Sequence, residues 1–499
     1  MNTHEVSATN SPPLEGGPIN SSVAKNFRGG VQRRTMTPPR NSLRCAAQII
    51  DYRPLLRPQP SRGGWKFAAA LIAAFTTLLA TPALAATPKI DSGDTAWMLT
   101  SSALVLMMTI PGLALFYGGM VRKKNVLATL AQSFGATCII TVLWMVVGYS
   151  IALTPNANPS TNQFIGSFNQ FLLGNMGLNA VNPLAATIPE SVYMFFQMTF
   201  AIITPALIAG ALADRMKFSA FMWFMSLWLL LVYCPIAHWV WGGGWLGSMG
   251  ALDYAGGTVV HLNAGTAALV TCLVLGKRVG LGSTDMAPHN LVLSVIGASL
   301  LWVGWFGFNA GSAVTANVNA GMAAVTTQVA TAAAALGWMG VEWIVGKKPS
   351  VLGMISGAVA GLVAITPASG FVDAQGALII GFAAGIVCYF SAVWVKKWVG
   401  YDDALDAWGV HGVGGALGAM LTGALAKNSI NSVGKGWIFD GNGHQMLVQF
   451  YDVAATFIYC AVLTFIILKA IDLVIGLRVP RDVEIEGLDI NLHGETVHG

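Results

Sequence analysis

Two segments, 150 residues apart at their histidines, carry the residues whose types and spacing could do chemistry. One runs Asp253-Tyr-Ala-Gly-Gly-Thr-Val-Val-His261, and the other runs Asp403-Ala-Leu-Asp406-Ala-Trp-Gly-Val-His411. In each, an aspartate precedes a histidine by eight residues, and the histidine opens an uncharged run rich in glycine and alanine. A neutral imidazole donates at one nitrogen and accepts at the other, and it gains or loses a proton near neutral pH. Two such rings could therefore hold a small polar solute or pass a proton. Ionisable groups inside apolar runs are costly and mark function, and a matched pair in two halves points to one site at a repeat interface. The plain alternative is that both rings cap helices or fill packing gaps. Histidines also bind metals, but a catalytic metal takes three protein ligands as a rule. No Cys/His cluster or carboxylate within the apolar runs supplies the third, so neither a metal nor another cofactor is expected, and the chain is not read as an enzyme.

The elements that position these residues must lie in a membrane. The chain has 499 residues, 55% hydrophobic and only 10% charged, where a soluble domain carries about 25% charged. Its 57 glycines suit closely packed transmembrane helices. The net charge of +5 is unevenly spread: residues 1–86 hold ten Lys/Arg and three Asp/Glu, leaving seventeen against nineteen for the rest. The folded part is thus slightly acidic and lacks the basic face a nucleic-acid partner needs. The six cysteines (Cys45, Cys138, Cys234, Cys272, Cys388 and Cys460) are scattered, without zinc spacing or a disulfide framework. They read as small buried hydrophobes.

Residues 1–64 are rich in Pro, Ser, Asn, Gly and Arg and are expected to be a disordered extension. Residues 65–86 follow the order of a signal peptide: Arg62 and Lys66, an apolar run from Phe67 to Ala80, then small residues to Ala86. Signal peptides begin near the initiator, so the extension reads as an upstream start-codon choice, with an organelle transit segment as the alternative. Residues 87–477 form the expected transmembrane domain and 478–499 a C-terminal tail. Eleven apolar stretches of bilayer length centre on 95–117, 127–151, 190–213, 218–240, 255–276, 289–309, 322–345, 351–367, 374–395, 405–427 and 447–475. The predicted fold is therefore an all-α polytopic membrane protein with eleven transmembrane helices. Clusters Arg122-Lys123-Lys124, Arg215/Lys217, Lys277/Arg278, Lys347/Lys348 and Lys396/Lys397 each follow an odd-numbered stretch. The positive-inside rule then places the mature N-terminus outside and the C-terminus in the cytoplasm of a cell (inner) membrane; Lys427 and Lys435 dissent. Eleven divides as five, five and one, so helices 1–5 and 6–10 are expected to be inverted repeats, with His261 and His411 meeting from opposite directions.

The loop 152–187 carries no charge, and Trp239 and Trp241 end the fourth stretch. Either tryptophan fits an aromatic belt at the interface or an aromatic face for a small cation. The tail holds Glu484, Glu486, Asp489 and Glu495, which read as solvent-exposed acids or as a docking surface.

Residues 92 to about 495 resemble the ammonium transporter family, in the bacterial-type branch of the Amt/Mep/Rh superfamily. The resemblance rests on Pro111-Gly-Leu-Ala-Leu-Phe-Tyr-Gly-Gly119, the Asp253–His261 segment, Trp305-Phe-Gly-Phe-Asn-Ala-Gly-Ser312, His411-Gly-Val-Gly-Gly415 and Gly487-Leu-Asp-Ile-Asn-Leu-His-Gly-Glu495, in family order. It implies a homotrimer with a narrow pore in each subunit. It implies ammonium recruitment by Trp241, Phe200 and Ser312, an occluding gate of Phe200 and Phe308, and a pore lined by His261, His411 and Trp305. Asp253 matches an aspartate serving deprotonation or structural support, and Asp403 holds the corresponding place in the second half. The tail motif implies docking of a cytosolic PII-type nitrogen regulatory protein; Thr496-Val-His-Gly499 departs from the usual ending. The expected activity is ammonium uptake: deprotonation outside, conduction of ammonia past the histidines, and separate proton transfer. A passive ammonia channel and an ammonium sensor with little transport are the alternatives.

Overall fold

The structure is a computed structural model and describes residues 89–497; the expected extension and signal peptide lie outside the described residues. Those residues form an all-α bundle whose sole β contact is an isolated antiparallel bridge between Met216 and Arg478. The long helices are α1 (Ser92–Met120), α2 (Lys123–Leu153), α3 (Glu190–Leu212), α4 (218–240), α5 (Gly257–Leu275), α6 (Leu291–Gly311), α7 (Val318–Gly346), α8 (Val351–Ile365), α9 (Ala374–Val399), α10 (408–425) and α11 (His444–Ile475). Nine helical stretches among the described residues are long and apolar enough to cross a membrane. The expected stretches at 351–367 and 405–427 correspond to α8 and α10, which fall outside those nine. Pro367 follows the last turn of α8, which ends after 15 residues, and it has no N–H to donate the next helical hydrogen bond.

Side-chain caps start several of these helices. Asp91, Asn290, Asn317, Ser350 and Asp373 each accept an amide from the first turn of α1, α6, α7, α8 and α9. The outward faces stay apolar: Ile344 is 83% exposed, Trp398 87% and Leu473 89%. Such a surface is stable against hydrocarbon, where helices satisfy their own backbone groups. By contrast α3 is buried almost throughout and forms the centre of the bundle.

Helices α5 and α10 meet backbone to backbone. A Cβ on Gly265 would collide with the amide nitrogen and Cα of Gly412, and one on Gly415 with the Gly257 carbonyl and Leu262 amide. Only glycine permits that approach. Both helices open with a π-turn, Gly257–Leu262 and Trp408–Gly412, and each turn contains one of the two histidines. Such turns concentrate at functional positions because they redirect side chains within a helix.

The tail is folded onto the bundle rather than left in solvent. Glu484 pairs with Arg478 at 2.8 Å and accepts the Val279 amide at 2.6 Å. Asp489 accepts the Leu127 and Ala128 amides at 3.1 and 2.8 Å, capping α2. The Leu488 amide donates to Asn125, which in turn holds Asp214. Asp214 also pairs with Arg122 and Arg278, and Arg278 pairs with Asp402. Of the tail acids, Glu484 is therefore buried against Arg478 and the Val279 amide and Asp489 against the start of the α-turns of α2, while Asp482, Glu486 and Glu495 remain exposed.

Candidate functional site

The two motif aspartates act first as helix caps. Asp253 accepts five hydrogen bonds: Oδ1 takes the Gly256 and Gly257 amides at 2.8 and 2.6 Å, and Oδ2 takes the Thr258 and Val259 amides at 2.9 and 3.1 Å and the Thr258 hydroxyl at 2.6 Å. An anion at a helix N-terminus satisfies orphan amides and complements the helix dipole. In the second half, Asp403 Oδ2 accepts the Trp408 amide at 2.7 Å. Burial, and then the neighbouring Asp406, push the Asp403 carboxyl up to about 6. Neither aspartate lines a cavity of the path described below. They fix where α5 and α10 begin, and so where the histidine of each first turn points.

Those histidines meet. His261 and His411 place their Nδ1 atoms 3.3 Å apart, with ring centroids 5.4 Å apart and planes inclined by 22°. Both are buried, at 1% and 4% exposure. The contact requires a hydrogen on one Nδ1 and a bare lone pair on the other, so the two rings cannot both be imidazolium in this arrangement. His261 lies 5.3 Å from Trp305 and 5.8 Å from Phe308, nearly parallel to both. The Trp305 indole donates to Thr366 at 2.9 Å, which holds it as a flat apolar wall.

Above His261 the aromatics continue. Phe308 stacks on Phe200 at 4.2 Å and 30°, and Phe200 meets Trp241 edge-on at 5.9 Å. The Trp241 indole donates to the Asp253 carbonyl at 2.9 Å, so the cap also anchors this ring. A cavity of 270 Å³ lies over the stack, lined by Tyr193, Phe196, Phe200, Trp241, Tyr254 and Ser312 among others. Ser312 donates to the Phe308 carbonyl at 2.8 Å. Its single hydrogen is thus engaged, and its oxygen offers only lone pairs to the cavity. Aromatic faces and a hydroxyl acceptor suit a small cation that donates hydrogen bonds.

Beneath the phenylalanines a cavity of 10 Å³ runs along His261, Trp305 and His411, otherwise lined by Leu113, Phe116, Ile203, Leu207, Leu301 and Val359. His411 also borders a third cavity of 150 Å³ that contains Glu342, Ser350 and Asp406. The 270 Å³ basin, the closed aromatic pair, the small apolar cavity and the 150 Å³ basin are therefore linked in sequence through Phe200, Phe308, His261 and His411. The passage is too apolar for a bare cation, whose desolvation would go uncompensated, and it fits a small neutral solute with hydrogen-bonding capacity.

A profile of the Ammonium Transporter Family matches residues 96–498. The chain belongs to the ammonium transporter family. It is 48% identical over 406 residues to the ammonium transporter of Bacillus subtilis (strain 168), covering 81% of this chain and 98% of that one. It is 50% identical over 416 residues to the ammonium transporter of Aquifex aeolicus (strain VF5), covering 83% and 96%. Among solved structures it resembles the crystal structure of Saccharomyces cerevisiae Mep2, with TM-score 0.73, 36% identity, and coverage of 79% of this chain and 89% of that chain. It resembles a structure described as "Sensor Amt Protein" at TM-score 0.73 and 27% identity, covering 80% and 98%.

Within this family fold, Trp241, Phe200, Ser312, Phe308, His261, Trp305 and His411 lie along one path, whereas Trp239 does not join them. The Trp239 indole donates to the Phe164 carbonyl, and its ring packs against Trp245 and Tyr459. Three partners escaped sequence reasoning. Thr258 lies inside the quoted motif but carries no signal of its own. Thr366 anchors Trp305 from 61 residues away. Asp406 lines the 150 Å³ basin, while its neighbour Asp403 caps α10.

Proposed function

We propose that this chain takes up ammonium by separating it into ammonia and a proton. Ammonium collects in the basin of Trp241, Phe200 and Ser312, loses its proton there, and passes as ammonia between Phe200 and Phe308. It then moves along His261 and His411, whose nitrogens offer one donor and one acceptor at a time. The observation that carries this reading is the single line from the Ser312 acceptor, through the Phe200–Phe308 stack, to the 3.3 Å histidine contact. Moving the intact cation through the apolar passage would cost on the order of ten kcal/mol or more before compensation; ammonia avoids most of that. The proton then crosses separately, and transport carries charge.

The same reading takes α1 to α11 as eleven crossings, with α1–α5 and α6–α10 as inverted repeats. Its support is the matched opening of α5 and α10, each with an aspartate cap eight residues before the histidine of its π-turn. The Lys/Arg distribution argues for a mature N-terminus outside and a cytoplasmic tail in the cell's inner membrane, after removal of a signal peptide ending near Ala86. Family likeness argues for a homotrimer and for docking of a PII-type regulator; the exposed Asp482, Glu486 and Glu495 are the tail acids available to such a partner. Current measurements on purified protein in proteoliposomes, on a solid-supported membrane, test the mechanism. Ammonium, and not potassium, should drive an inward current. Ammonium uptake without current would support a passive ammonia channel, and negligible uptake a sensor.

A further inference from the structure

On α11 the residues Gln445, Gln449, Asp452, Thr456, Cys460 and Thr464 are all buried. Their spacing of three or four residues places them on one helix face. That face lies along α5: Asp452 Oδ2 is 3.0 Å from Thr258 Oγ1, and the Cys460 thiol donates to the Asn263 carbonyl at 3.1 Å. A helix that only packs in a bilayer puts small residues at such a contact, and a carboxyl is among the most costly groups to place there. Asp452 borders none of the three cavities of the ammonia path.

Counting hydrogens fixes its state. Thr258 has one hydroxyl hydrogen, and its oxygen faces Asp253 Oδ2 at 2.6 Å and Asp452 Oδ2 at 3.0 Å. Four backbone amides hold Asp253 as a carboxylate, and the shorter contact takes the threonine hydrogen. The contact with Asp452 is then a good hydrogen bond only if Asp452 supplies the hydrogen. Moreover Asp452 Oδ1, Thr456 Oγ1 and Asn263 Oδ1 are buried with no protein partner. Buried polar atoms are nearly always satisfied, by ordered water where protein does not serve.

We propose that Asp452 is a neutral carboxylic acid and a proton-transfer residue, and that the α5–α11 seam is a hydrated proton route separate from the ammonia path. The proposal rests on the charge-coupled reading above. In the first step the Asp452 O–H bond breaks and its proton joins a seam water, leaving a carboxylate. In the second, a protonated seam water, carrying the proton that ammonium released, breaks one O–H bond as Asp452 re-forms its own, while Asp253 goes on accepting the Thr258 hydrogen. Each O–H bond broken there is matched by one formed, and Asp452 returns to its starting state.

The test uses Asp452→Asn, which keeps the shape and the hydrogen bond to Thr258, in the full-length protein in proteoliposomes. Infrared difference spectra should show a protonated-carboxyl band in wild type that shifts in D2O and is lost in the variant. The current per ammonium taken up should fall at least tenfold. An unchanged spectrum, or an unchanged current per ammonium, overturns the proposal. Wild-type protein that takes up ammonium with no current overturns the charge-coupled reading and the seam with it, whereas wild-type current that Asp452→Asn matches overturns the seam alone. If Asp452→Asn fails to fold, Thr456→Val on the same face decides: a tenfold fall supports the route, and no change refutes it.

Discussion

Asparagine at position 253 preserves the size of the cap and replaces one oxygen with an NH2 group. Asp253 uses both oxygens, two amides on Oδ1 and two amides plus the Thr258 hydroxyl on Oδ2. Whichever way the new amide faces, two backbone N–H groups at the start of α5 lose their acceptor. The residues concerned, Gly256 to Val259, are buried, so each orphaned donor costs about 1–3 kcal/mol. The pair costs about 2–6 kcal/mol, a large share of a typical folding free energy of about 5–15 kcal/mol. Loss of the negative charge at the N-terminus of α5 adds ~0.5 kcal/mol. The assay is thermal unfolding of detergent-purified protein followed by intrinsic fluorescence, alongside ammonium uptake normalised to folded protein. Asp253→Asn should lower Tm by about 3–7 °C and reduce the yield of folded protein. A variant with wild-type Tm and yield but no uptake would refute this reasoning and return Asp253 to a purely chemical role.

The outer basin, the histidines and Asp403 yield further expectations. Ser312→Ala removes an acceptor for a charged donor and should raise the apparent KM for ammonium roughly tenfold, while Trp241→Leu should weaken discrimination against potassium, both read by competition in the current assay. His261→Ala and His411→Ala should each lower ammonium current about 10²-fold or more in folded protein, and His261→Asp should admit a potassium leak; wild-type current without leak in all three removes the relay. Asp403 stands at about 6 when folded, above its ordinary value of about 3.9. It therefore contributes stability that is complete below about pH 4 and is lost as pH rises through about 6, on the order of 3 kcal/mol in all. Asp403→Asn, which still accepts the Trp408 amide, should raise Tm at pH 7 and flatten its dependence between pH 4 and pH 7.

The membrane class was legible from composition alone. A chain with 10% charged residues and long apolar runs has no stable arrangement in water, and hydrocarbon forces its backbone into helices. The histidines were legible as a pair because their segments repeat, Ser312 because it ends a family motif, and Trp241 because it ends an apolar stretch and the family resemblance marks it. Which rings touch was decided by the tertiary structure. Phe200 comes from α3, Trp241 from the end of α4 and Phe308 from α6, and apolar runs buried on every side carry no periodic mark of which helix is whose neighbour. The backbone approach of Gly265 to Gly412 sets the α5–α10 crossing, yet in sequence these are two glycines among 57. The tail acids show the same limit from the polar side. Composition marks Glu484 and Asp489 as solvent-loving, and only the fold presents Arg478, Val279 and the first amides of α2 to them. Asp452 was invisible for that reason too. A single carboxyl in an apolar helix has no meaning until a partner is known, and Thr258, 194 residues away, reaches it only when α11 packs on α5.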